Sequence, residues 1–416
     1  MADRTTQETI EAVWRLESTR LIAGLVRIVR DVGLAEDLAQ DALVAALAQW
    51  PTDGVPDNPG AWLMTTAKRR AVDQFRRRDR RDQIYAAIAY TQGSQVSEEN
   101  LLVAVDHVED DVLRLMFVCS HPALTAEARC TLTLKLVAGL TSREIARAYL
   151  TTEQTVAQRV VRAKRTLAEA GAAMEEPDKA ERAERLTTVL SVIYLLYNEG
   201  YSATAGTEWM RPALCDEALR LGRILAALAP GESEVHGLCA LMELQSSRLA
   251  ARVADDGSPI LLLDQDRSRW DPVHIMRGLA ALERAKALAT DLGPYALQAA
   301  IAACHARADT AEATDWVRIA GLYEQLARRT GSPVVEVNRA VALGMAYGPE
   351  AGLALLDQLE GLPALQGYHL WPSVRGDLLE RLGRRDEAKA EFVRAASMTQ
   401  NEREQVLLLS RARDGC

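Results

Sequence analysis

The chain has 416 residues, enough for two to four domains that each bury a core. Hydrophobic residues at 48% and charged residues at 26% are ordinary globular proportions and exclude wholesale disorder. A formal net charge of -9 excludes a surface coated in basic residues for nucleic acid.

Two stretches run against that average. From Lys68 to Arg81 there are eight Lys/Arg against two Asp, and from Arg143 to Arg165 six against two Glu, leaving about +6 and +4. An acidic protein with two focused basic stripes has two separate anion-binding surfaces. Ala, Leu, Arg and Glu abound, Phe is scarce, and no alternating run of β-branched and aromatic residues reads as a sheet. The expected fold class is therefore all-α, because the abundant side chains lose little rotamer freedom in a helix.

In chain order, Ile10, Val13, Trp14, Leu21, Leu25 and Ile28 recur at helical spacing between residues 10 and 29. A second helix is expected from about Leu34 to Ala48, and the Pro-, Asp- and Gly-rich stretch Trp50–Asn58 reads as a loop. Asn58-Pro59 supplies a cap and a first-turn proline to a third helix, which carries Trp62, Leu63, Ala67 and Val72 into the first basic stretch. A polar linker covers Thr91–Asn100, and a second helical unit runs from near Val103 to Gly171.

Within that unit, Thr141 and Glu144 form a capping box at the start of a short helix that points Ile145 and Ala146 inward. After a turn at Tyr149–Thr151, Thr152 caps a second helix whose Val156, Val160, Ala163 and Leu167 make one apolar stripe. Steps of about 100° put Gln154, Gln158, Arg162 and Arg165 opposite, with Arg159 on the flank. A helix anchored on one face and offering Gln and Arg on the other suits the DNA major groove, where Gln pairs with adenine and Arg with guanine or phosphate. A solvated, Arg-rich face on an ordinary helical hairpin is the alternative.

The residues so far resemble the extracytoplasmic-function group of sigma-70-type sigma factors. Gly33-Leu-Ala-Glu-Asp-Leu-Ala-Gln-Asp-Ala-Leu43 is similar to the acidic helix of region two. Asn58-Pro-Gly-Ala-Trp-Leu63 with Ala67-Lys-Arg-Arg-Ala-Val-Asp-Gln-Phe-Arg-Arg77 resembles the segment that melts and reads the −10 element, and Gly139–Leu167 resembles region four, the −35 reader. The resemblance implies polymerase binding by Glu36, Asp37, Gln40 and Asp41. It implies −10 contacts by Trp62, Lys68, Arg69, Arg70, Arg76 and Arg77, and −35 contacts by Gln154, Gln158, Arg159, Arg162 and Arg165. The Trp50–Asn58 loop would hold a flipped base, and Phe75 is expected in the core. Arg69 stands where many relatives have Asn, and Leu150 where many have Gly.

Beyond residue 180 the layout resembles the subgroup whose extension joins a helical segment to tetratricopeptide-like repeats. The stretches that carry this are Tyr197-Asn-Glu-Gly-Tyr201, Leu214–Leu221, Leu263-Asp-Gln-Asp-Arg-Ser-Arg-Trp-Asp271 and the hairpin Leu378–Ala395, with a weaker copy around Asn338–Leu359. Asp264, Asp266, Arg267, Arg269 and Asp271 form a dense charged cluster, for which an ion-pair network at a helix end is preferred over catalysis. The expected organisation is region two over 1–85, a linker over 86–105, region four over 106–172, a family-specific extension over 180–285 and tetratricopeptide-like repeats over 286–416.

Six scattered cysteines without a CxxC pair, and six histidines without HxxxH or HExxH spacing, give no reason to expect a metal, a cofactor or a disulfide framework. A polar N-terminus and no run of about 18 apolar residues point to a soluble, cytoplasmic protein. The reading is a non-enzymatic sigma factor. Its partners are core RNA polymerase, through clamp and flap, and promoter DNA, and its extension regulates activity and contacts the sigma modules. A helix-turn-helix regulator with a repeat-built sensor, or an enzyme housed in the extension, are the alternatives.

Overall fold

A computed structural model describes residues 2–86, 108–149, 151–172, 179–202, 205–206, 209–254 and 257–414. They form two compact units, residues 1–192 and 193–416. In the first, α1 (Ala2–Val29), α2 (Val32–Asp53) and α3 (Pro59–Ala86) pack on one another, followed by α4 (Val108–Cys119), α5 (Ala126–Leu136), α6 (Ser142–Ala148) and α7 (Glu153–Glu169). The expected linker over 86–105 and Leu150 lie almost wholly or wholly outside the described residues.

The caps are where the side chains demand them. Asn58 Oδ1 accepts from Ala61 N at 3.1 Å, and Asp31 Oδ1 accepts from Leu34 N at 2.7 Å. The second helix departs from expectation: it continues through Pro51 to Asp53 before Gly54 ends it at φ 85°. Trp50 supplies the reason. It is 2% exposed and meets Trp62 edge-on at 5.4 Å, so tertiary packing of the indole holds a final turn that proline disfavours.

The two helical modules expected on either side of the linker pack together within this unit. Helix α1 lies against both α4 and α5, and α2 touches α7. Thr19 Oγ1 donates to the Val137 carbonyl at 2.9 Å, and Arg27 pairs with the buried Asp111 carboxylate at 3.2 Å.

The second unit is a succession of helices packed on their neighbours in sequence. Helix α8 (Lys179–Tyr201) crosses the boundary between units and leads to α9 (Pro212–Leu228), α10 (Ser233–Ser246), α11 (Pro272–Leu288) and α12 (Pro294–Arg307). Then come α13 (Trp316–Thr330), α14 (Pro333–Tyr347), α15 (Pro349–Gln358), α16 (Leu370–Arg381), α17 (Arg385–Met398) and α18 (Glu402–Asp414). Proline begins several of these, where its missing N–H costs nothing. The expected hairpin Leu378–Ala395 falls on α16 and α17, turning at Gly383 with φ 74°, and the weaker copy falls on α14 and α15, turning at Gly348. A two-residue parallel ladder joins β1 (Ala205–Gly206) to β2 (Gln400–Asn401), a feature the all-α reading did not contain. It is too short to shift the fold class.

Candidate nucleic-acid interface

The helix-turn-helix is built by local chemistry. Thr141 N donates to Glu144 Oε2 at 2.8 Å while Glu144 N donates to Thr141 Oγ1 at 3.1 Å, closing the capping box at the start of α6. Thr155 N donates to Thr152 Oγ1 at 3.1 Å and opens α7. Ile145 and Ala146 of α6 are buried against Val156, Val160, Ala163 and Leu167 of α7, as their spacing requires. Gln154, Gln158, Arg162 and Arg165 are consequently exposed.

Not every cation on α7 is free for phosphate. Arg159 is half-buried and paired with Glu127 at 3.0 Å, and Arg165 reaches Glu169 at 3.4 Å. A cleft of about 360 Å³ between the start of α5 and α7 is lined by Gln158, Arg159 and Arg162 together with Thr125 and Glu127. The polar chemistry of the recognition face is therefore concentrated at Gln154, Gln158 and Arg162, with Arg159 held on the flank.

In the first module, Trp62 is half-buried against Trp50, Lys68 and Arg70 are half-buried, and Arg69 is exposed. Arg70 pairs with Asp41 of α2 at 3.3 Å, so one cation and one acid of the two expected surfaces engage each other. Phe75 is half-buried rather than a core side chain. Arg76 and Arg77 continue α3, but their side chains lie outside the described residues. A cleft of about 390 Å³ opens between α1, the start of α3 and α4, and Arg20, Arg27, Asn58, Thr65 and Lys68 line it.

The acidic helix α2 divides its side chains between two environments. Asp37, Gln40 and Asp41 are exposed on one face. Glu36 is not: its side chain is 10% exposed and makes a short ion pair with Lys164 of α7, itself 19% exposed. Breaking such a buried pair from one side leaves an uncompensated charge and costs several kcal/mol, about 3–5. Lys164 and Asp111 escaped the sequence reading. Lys164 sits in the second basic stretch, but no local pattern tells a buried lysine from a phosphate-facing one, and Asp111 carries no signal at all.

In the extension, the charged cluster resolves into caps. Asp266 Oδ1 accepts from Ser268 N at 2.9 Å, and Asp271 Oδ1 accepts from Val273 N at 2.7 Å at the start of α11. Both carboxyls are held below the usual range, Asp266 by the Ser268 hydroxyl and then its N–H, Asp271 by the N–H of His274 and then that of Val273. Asp264 and Asp266 are exposed, and among the described residues no group of three or more His, Cys, Asp or Glu is placed to hold a metal. Five cysteines are buried and unpaired, with Cys130 pushed up to about 11 and Cys215 to about 12, chiefly by burial. No helix among the described residues is long and apolar enough to cross a membrane.

Comparison with known proteins agrees with this geometry. Residues 13–81 match the sigma-70 region 2 family, and residues 185–286 match a family of unknown function, DUF6596. An uncharacterised protein of Rhizobium meliloti is 44% identical over 382 residues, covering 91% of this chain and 89% of that one. A probable extracytoplasmic-function RNA polymerase sigma factor, SigI of Mycobacterium tuberculosis, is 28% identical over 41% of this chain and 58% of its own length. SigK of Mycobacterium ulcerans, of the same group, is 30% identical over 34% of this chain and 74% of its own. Yeast Tom70 overlaps the whole chain and 88% of its own at a TM-score of 0.37 and 11% identity, a likeness too slight to define a fold. The chain belongs to the extracytoplasmic-function sigma factors, in a form that carries a large helical extension behind the sigma modules.

Proposed function

We propose that this protein directs core RNA polymerase to promoters with two elements, through α1–α3 at −10 and α7 at −35. The observation that carries this reading is a sigma-70 region 2 match at residues 13–81 followed by a capped helix-turn-helix with Gln154, Gln158 and Arg162 exposed. In this reading Asp37, Gln40 and Asp41 dock on the polymerase clamp. Lys68, Arg69 and Arg70 hold the opened strand, and Trp62 and the cleft beside Asn58 receive an unstacked base. Arg76 and Arg77 extend the cationic track, and Arg159 and Arg165 reach the −35 backbone by exchanging their acidic partners for phosphates.

Two promoter elements about 25 base pairs apart lie roughly 85 Å from one another at about 3.4 Å per pair. A compact unit of some 190 residues has a radius of gyration near 16 Å, about 2.2·N^0.38. The first unit therefore cannot serve both elements while α7 rests on α2, and promoter binding separates them. Release of Lys164 then frees Glu36 to join its acidic neighbours at the polymerase. The extension tunes this activity.

In vitro transcription on a promoter library tests the reading. Initiation by core polymerase only when the protein is present, from fragments sharing two spaced elements, is the expected result. DNA binding without initiation would replace it with a helix-turn-helix regulator that does not engage polymerase. A chain ending at residue 172 should initiate at a different level from the full chain; equal levels would remove the regulatory role of the extension.

A further inference from the structure

Two sequence stretches that the promoter-reading modules leave without a role lie inside the C-terminal unit, each tied to an arginine. In the first, Tyr197 and Tyr201 stack at 5.8 Å, and Tyr197 hydroxyl is buried in a bond with Ser246 at 2.8 Å. The guanidinium carbons of Arg252 and Arg248 stand 3.5 and 5.5 Å from the centroid of the same Tyr201 ring. Arg252 is 8% exposed and donates to the Tyr201 carbonyl. From the second stretch, Arg267 donates to the carbonyls of His305 and Ala308 and, at 3.2 Å, to Thr314 Oγ1, with Trp270 under it at 4.8 Å.

The charge balance is one-sided. Arg252 and Arg267 spend their donors on carbonyls, a hydroxyl and sulfur, and none of these neutralises them. Arg248 is half-buried, and among the described residues its guanidinium has neither an ion-pair nor a hydrogen-bond partner. Burial first, and the charge of Arg248 after it, lowers the pKa of Arg252, Arg267 and His305, and His305 falls to about 3 and stays neutral at pH 7. Among the carboxylates facing this group, the exposed Glu312 acts on Arg267. The Tyr323 phenol, from α13, is within electrostatic reach of Arg248 and of Tyr194. Like charges held together in a partly dry place cost free energy unless an anion joins them.

We propose that Arg248, which shares the Tyr201 ring with Arg252, anchors a binding site for a small ligand bearing a phosphate or carboxylate group. A free guanidinium fork matches two oxygens of either group, and the reduced dielectric strengthens each bond. Arg252 and Arg267 stay on their carbonyls and supply field rather than contacts. The site gives the DUF6596 segment a chemical purpose: it is a receptor for a small anion within the extension. It does not depend on the promoter-reading function.

The test uses the full chain with inorganic phosphate and citrate as probes, each against sodium chloride at matched ionic strength. A saturable rise in melting temperature with one or both anions is expected. Phosphate alone would assign a phosphoryl ligand, and citrate alone a carboxylate. Arg248→Gln should weaken the binding at least tenfold, and Arg248→Lys should restore part of it. Phenylglyoxal labelling of the unmutated protein, read by peptide mapping, supplies a measurement that no folding defect can confuse: the saturating anion should protect Arg248. Equal labelling of Arg248 with and without both anions, or an Arg248→Gln protein that binds as the parent does, would overturn the proposal.

Discussion

At the scale of single residues, α7 separates exposed polar side chains that are free of ion pairs from ones that are already engaged. Arg162 is exposed and, among the described residues, makes no ion pair, whereas Arg159 is already engaged by Glu127 at 3.0 Å. Arg162→Ala should therefore weaken promoter binding by a similar factor across sequences and reduce the salt slope of log K by about 1 if it meets phosphate. Gln158→Ala should instead cost about 1–3 kcal/mol on the preferred −35 sequence and little on others, the mark of a base contact. Fluorescence anisotropy on matched and scrambled duplexes over a salt series measures both, and equal losses on both duplexes for Gln158→Ala would reassign it to the backbone. The exposed face of α7 was legible because a helix converts spacing into direction. The burial of Glu36 was not: in sequence it is one acid among several on an amphipathic helix, and its partner Lys164 lies more than a hundred residues away. The same holds for Arg267, which reads as part of a charged cluster and turns out to serve the carbonyls that end α12.

At the scale of elements, helix starts were written in the sequence more clearly than helix ends. Asn58, Thr141 and Thr152 each cap the helix they were expected to cap, because an N-cap bond spans three residues and needs nothing from the rest of the fold. The end of α2 depended on Trp50 finding Trp62 across the module, so composition alone placed a loop where a last helical turn exists. The hairpin α16–α17 shows how packing, rather than propensity, fixes a helix pair. Gly376 lies under Phe392, and a Cβ there would stand 2.8–3.1 Å from three ring carbons of a side chain that is 1% exposed. Gly321, in the interior of α13, has nothing within 4 Å of the same added atom. Alanine improves helix propensity by about 1 kcal/mol at both sites, but overpacking against a ring that cannot retreat costs about 1–3. Gly321→Ala should raise the stability of the full chain slightly, whereas Gly376→Ala should lower or at best not improve it. Thermal unfolding of the two variants side by side decides this, and a gain at Gly376 equal to that at Gly321 would mean that the hairpin yields.

At the scale of the whole molecule, the N-terminal unit brings together surfaces that the proposed function needs apart. Among the described residues, the polar contacts that hold it closed include Glu36 with Lys164, Arg27 with Asp111, and Thr19 with the Val137 carbonyl. A partner can displace this closed state, since a ligand shifts an equilibrium by its differential affinity for the two states. Polymerase supplies that difference in the proposed function, because its docking face on α2 includes the carboxylate that Lys164 covers. Labels at the exposed Gln49→Cys on α2 and Ala168→Cys on α7, away from the proposed polymerase and −35 contacts, report the separation, with Cys416 changed to Ser. The five buried cysteines, all with thiols held up by burial, stay unreactive. Energy transfer should be high in the free protein and fall when core polymerase is added, further still with promoter DNA. Lys164→Ala should lower transfer before any partner is present, by leaving Glu36 without its counter-charge in a dry contact. Transfer that stays high on polymerase binding would mean that the two modules act as one body, and that the −35 element is reached some other way than by parting α2 from α7.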